Sequence, residues 1–124
     1  MYAIDIIRRV DEKRPNSISI DQKVVWLARC DHLIWDDVIA THHGGECMKP
    51  FRGEIEADAE YRCMMVREPY EEMYEYYLMA QIDLTNGDTD HYNNDTLLYN
   101  DALKMFSRWW HKSHLPKNCV KFRV

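Results

Sequence analysis

PYEEMYEYYLMAQIDLTNGDTDHYNNDTLLYNDALKMFSRWW, from Pro69 to Trp110, is the stretch that decides the fold. Tyr70, Met73, Tyr74, Tyr77, Leu78 and Gln81 recur at three- and four-residue intervals, so one face of a helix running to about Asn86 carries them. Pro69 suits the first turn of that helix, where its missing N–H costs nothing. Gly87 is the expected stop, because glycine takes the left-handed position past a helix end without steric cost. Asp88 or Asp90 then caps a second helix, about His91 to His111, with the stripe Leu98, Ala102, Met105, Phe106 and Trp109. So short a turn makes the two helices antiparallel neighbours, and most of their rings become core. Tyr77 and Trp109 are expected inside it.

Working toward the N-terminus, Ile4, Ile7 and Val10 predict a short helix over about Tyr2 to Glu12. Pro15, Asn16 and Ser17 end it. Ser19 and Gln22 have capping-box spacing, so another helix should start there and run to about Thr41, with Gly44 and Gly45 beyond its end. Its stripe is Val24, Leu27, Ala28, Ile34, Trp35 and Val38, interrupted by Asp31, a carboxylate at the stripe's edge or paired with a buried partner. Residues 46–67 show no helical stripe and exceed the usual connection inside a compact domain, which is the mark of a functional, mobile or partner-ordered loop. Within them Tyr61 to Val66 has the composition of a short strand or hairpin. The fold class is therefore mainly α: a bundle of about four helices over residues 1–115 with a long loop, followed by an extended C-terminal tail, 116–124.

That tail alternates Val120, Phe122 and Val124 with Lys121 and Arg123, a strand pattern with no strand beside it. Lys117, Val120, Lys121, Phe122, Arg123 and Val124 are accordingly expected to bind a partner, through an acidic or strand-edge surface. Charge is segregated. Residues 68–103 carry nine acids and no Lys or Arg, and from Lys104 onward there are six bases and no acid. Over the 124 residues the net charge is −5, which argues against general nucleic-acid binding by phosphate neutralisation. No run approaches the ~20 apolar residues that cross a bilayer, and the opening residues, with Asp5, Arg8 and Arg9, do not read as an export signal. Cys30, Cys47, Cys63 and Cys119 lack paired spacing and read as reduced thiols.

Signals for chemistry are sparse. His42, His43, Cys47 and Cys63 supply only part of a zinc pattern, which needs four ligands in close pairs. No cysteine sits in a nucleophile signature. Glu71, Glu72 and Glu75 lie mostly opposite the apolar stripe and read as a solvated or partner-facing acidic surface. Asp90 to Asp95 lacks calcium-loop spacing, and four glycines leave no phosphate loop. No catalytic residue, cofactor or metal is expected.

The segments RVDEKRPNSISIDQKVVWLARCDHLIWDDVI and REPYEEMYEYYLMAQIDLTNGDTDHYNNDTLLYNDALKMFSRWWHKSHLP resemble small proteins of the head and neck gene clusters of tailed bacteriophages, the head-tail connector or adaptor group. The likeness covers about Ile4 to Pro116 and rests on Trp, Tyr, Asn and Gly positions rather than on a catalytic motif. It implies a helical, non-enzymatic virion protein made in the bacterial cytoplasm. Such proteins form a homo-oligomeric ring, usually a dodecamer, beneath the portal protein. The ring meets a tail or stopper protein and extends the channel through which DNA passes without sequence-specific binding. The alternatives are another neck or tail-completion component and a small phage-coded inhibitor of a host factor.

Overall fold

The computed structural model describes residues 2–39, 63–66 and 69–113. Four α-helices build it: α1 (Ala3–Lys13), α2 (Ile20–Ile34), α3 (Glu72–Asn86) and α4 (Thr89–Ser113). α2 continues directly into a π-helical turn, Trp35–Ile39, where the α form had been expected to persist. The wider turn keeps the consecutive Val38 and Ile39 both buried. α1 starts and ends one residue later than its apolar spacing predicts. α4 extends two residues further than expected at each end.

α3 is the hub. It packs along α4 as an antiparallel hairpin and also meets α1 and α2. Met73, Tyr74, Tyr77 and Leu78 are buried as their spacing requires, but so are Met79, Ala80 and Ile82 on other sides. A helix apolar nearly all round belongs inside a bundle rather than on its surface. Helical structure begins at Glu72, so Pro69 stands in the turn before the helix and not in its first turn.

The turn between α3 and α4 is built as its residues dictate. Gly87 adopts φ 77°, its N–H donates to the Leu84 carbonyl at 3.3 Å, and the Asp88 N–H donates to the Asp83 carbonyl at 2.9 Å. Those two bonds satisfy the carbonyls left over at the end of α3. The Asp88 carboxylate then accepts from the His91 N–H at 3.2 Å and caps α4. At α2 the hydroxyl half of the capping box is present, with Ser19 Oγ accepting from the Gln22 N–H at 3.2 Å.

Residues 63–66 lie across the helices without forming a strand. Cys63 makes one isolated antiparallel bridge to Tyr2, and among the described residues there is no β-strand, so the strand reading of Tyr61 to Val66 fails where it can be seen. Asp31 explains how this segment is held. Fully buried on α2, it accepts the Tyr74 hydroxyl at 2.5 Å and the Met65 N–H at 2.9 Å, while the Tyr74 oxygen accepts the Val66 N–H at 2.8 Å. The interruption in the α2 stripe is thus a paired carboxylate that joins α2, α3 and residues 64–66. Burial, then the neighbouring Asp31 charge, pushes the Tyr74 hydroxyl well above its ordinary pKa, so it stays a donor. Tyr74→Phe leaves a buried carboxylate oxygen and the Val66 N–H without this partner and should cost about 1–3 kcal/mol in a denaturant titration. An unchanged midpoint would refute that account.

Candidate interaction surface

Among the described residues no group of three or more His, Cys, Asp or Glu side chains could hold a metal, and no helix is long and apolar enough to cross a membrane. His42, His43 and Cys47, the glycines expected after α2, most of the 46–67 loop and the tail residues Lys117, Val120, Lys121, Phe122, Arg123 and Val124 lie outside the described residues. Cys30 and Cys63 are free thiols. A shallow groove of about 160 Å³ lies between Tyr77, Ala80, Gln81, Tyr92, Thr96 and Tyr99. It is below the usual ~300–1,000 Å³ of a small-molecule site.

Glu71, Glu72 and Glu75 do not together form the solvated or partner-facing surface that their spacing suggests. Glu71, Glu75, Asp83 and Asp95 are all buried, and only Glu72 of the three glutamates faces water. For Glu75, Asp83 and Asp95 the cause is α1 and its cap residue Arg14, whose bases come from a distant part of the chain. Arg9 and Lys13 reach Glu75 at 3.5 and 3.0 Å. Pro15 holds the preceding residue in extended backbone, and Arg14, at φ −133° and ψ 92°, sends its guanidinium into the α3–α4 junction. There Nε donates to Asp83 at 3.0 Å and Nη2 to Asp95 at 3.2 Å.

Two buried carboxylates thus share one cation. Burial first, and then the adjacent Asp83 carboxyl, raises Asp95 from 3.8 to about 6, with Arg14 opposing the rise. A carboxyl raised in the folded state contributes stability that is present in full below its unfolded pKa and is lost as pH climbs through the folded value. Asp95→Asn should therefore gain on the wild type between about pH 4 and pH 6 and hold that gain at neutral pH, as chemical denaturation across that range would read. A difference between the two proteins that did not change with pH would contradict the raised Asp95 carboxyl.

α4 supplies the surface. The expected stripe Leu98, Ala102, Met105, Phe106, Trp109 is only partly its buried face: Phe106 is buried and Ala102 half-buried, but Leu98, Met105 and Trp109 are exposed. The inward side is instead Asp95, Tyr99, Leu103, Phe106 and Trp110, a rotation of roughly a quarter turn at 100° per residue. Asp95 sets it. Drawn inward to Arg14, the carboxylate takes a core position that hydrophobicity alone would never assign to it. Tyr77 is core as expected, tilted against Tyr99 with centroids 5.4 Å apart. Trp109 is not: it rests on Tyr70 at 5.4 Å with 43% of its area exposed, and Trp110 takes the buried place at 3%.

The rotation leaves Leu97, Leu98, Met105 and Trp109 in solvent, at 64%, 38%, 61% and 43% exposure. Leu98, Ala102, Met105 and Trp109 fall at steps of four, three and four, the spacing of a helix seam that packs against another helix. Isolated exposed apolar residues are ordinary, whereas an aligned row marks a contact surface. Beside it run Lys104, Arg108 and Lys112, and no described ion pair uses them. No family model, curated protein or solved structure matches the chain.

Proposed function

We propose that the chain is a structural assembly protein, and specifically an adaptor of the tailed-phage neck that forms a ring on the portal and carries the DNA channel toward the tail. The observation that supports assembly is the exposed side of α4, an apolar row of helix-packing spacing edged by bases that enter no ion pair among the described residues. The specific form, with a virion location, a portal partner and a tail or stopper beyond it, rests on the sequence resemblance of Ile4 to Pro116. The site's chemistry agrees with an assembly role. The buried Glu75, Asp83 and Asp95 are engaged in holding helices together, and the groove beside Tyr77 and Tyr99 is too small for an ordinary ligand. The basic and apolar tail, 116–124, is the segment assigned to the portal.

The test is co-sedimentation of the chain with a portal ring from the same gene cluster. The full chain is expected to travel with the ring, and a chain ending at residue 116 is expected to lose binding while keeping its helical circular dichroism. A full chain that stays unbound removes the neck reading. A shortened chain that binds with unchanged affinity removes the role of the tail.

A further inference from the structure

We infer that the open side of α4 in one copy packs against the outward ridge of α2 and its π-helical turn in the next copy. The inference rests on the assembly reading and gives its contact between copies a place, a direction and a charge pattern.

The α4 half carries an electrostatic strain that a partner would relieve. Lys104, Arg108 and Lys112 stand four residues apart on one edge, and like charges at that spacing repel on a helix surface. The α2 half offers the complement. Its ridge exposes Val25 and Leu33 at 46% and 43%, carries Arg29 between them, and ends in the exposed Asp36 and Asp37. Asp36 enters no described ion pair.

One parallel register aligns both halves. Leu97 meets Val25, Asp101 meets Arg29, Met105 meets Leu33 and Arg108 meets Asp36, each pair 72 positions apart in the sequence. Two apolar pairs then alternate with two pairs of opposite charge over about 17 Å of helix, at 1.5 Å per residue. Running the helices in opposite directions can still set Leu97 by Leu33, Asp101 by Arg29 and Met105 by Val25, but it places Arg108 by Gln22 and Asp36 by Asn94, so the Arg108–Asp36 pair belongs to the parallel register. Because the two halves lie on different helices, the contact is head-to-tail: among the described residues each copy exposes one α4 side and one α2 ridge, and copies add into a ring where the rotation closes and into a filament where it does not.

The experiment is a charge swap read by sedimentation velocity of the full chain over a concentration series. Asp36→Arg and Arg108→Asp each set like charges across the contact, and each alone is expected to weaken self-association at least about tenfold. An equimolar mixture of the two variants is expected to recover it. In an alternating array every contact is either the natural pair or the pair with both charges reversed. Both residues are exposed, so thermal melts should match the wild type and exclude misfolding as the cause. The inference is overturned if the wild type stays a single copy throughout, if either variant associates as the wild type does, or if the mixture fails to recover. A closed dimer of α4 against α4 shows as indifference to Asp36→Arg. Self-association through this contact without portal binding would remove the neck reading and leave the contact standing.

Discussion

Arg14→Met should cost about 3–5 kcal/mol at neutral pH, because it leaves Asp83 and Asp95 buried without the cation they share. The methionine chain keeps much of the packing volume, so the loss reads out charge rather than a cavity. The sign of its pH dependence is fixed by the same geometry. Without Arg14, which opposes the rise, Asp95 holds its proton more tightly still, and protonating it removes unpaired charge. The deficit should therefore shrink as the pH is lowered through the region around 6, where Asp95 already titrates in the intact protein. Urea titrations of both proteins at neutral and mildly acidic pH are sufficient. An Arg14→Met protein as stable as the wild type at neutral pH would mean that the junction is held by packing alone.

The two adjacent tryptophans give the second large effect, by contrast. Trp110 is 97% removed from solvent, so Trp110→Ala should cost about 3–5 kcal/mol as other large-to-small aromatic changes in cores do. That corresponds to a fall of roughly 10–20 °C in melting midpoint for a chain of this size. Trp109→Ala gives up only half-buried area and the stacking on Tyr70, together about 1–2 kcal/mol. The order of the two midpoints is the decisive reading. If Trp109→Ala proved the more damaging, α4 would be rotated back to the orientation its hydrophobic spacing suggests.

Local signals in the chain proved readable, and long-range ones did not. Gly87 and Asp88 state the α3–α4 turn in adjacent letters, and Ser19 states the start of α2, because a capping bond spans only a few residues. Asp31 reads from the sequence as either a carboxylate at the stripe's edge or one with a buried partner, and the Tyr74 hydroxyl makes it the second. The rotation of α4 was hidden. It depends on Arg14 meeting Asp95 across 81 positions, and nothing near Asp95 distinguishes it from a surface acid. The same holds for Glu75 and Asp83, which become interior residues only when α1 arrives. The aligned row on α4 is legible in the sequence, where its spacing reads as core, and the structure turns that same row outward.

The wiring of α1 also governs the order in which the chain can fold. α3 and α4 meet through a turn of a few residues, so the hairpin forms at small loop-closure cost. The ionic links that tie α1 and its cap residue Arg14 to α3 and α4 span 62 to 81 positions and reward the chain only after that long loop has closed. Folding should therefore begin at the aromatic hairpin and finish with the docking of α1, leaving its bonds unformed at the rate-limiting step. In that case Arg14→Met accelerates unfolding while leaving the refolding limb of a chevron nearly in place. The half-life of the folded state then depends on a helix of 11 residues at the edge of the hub.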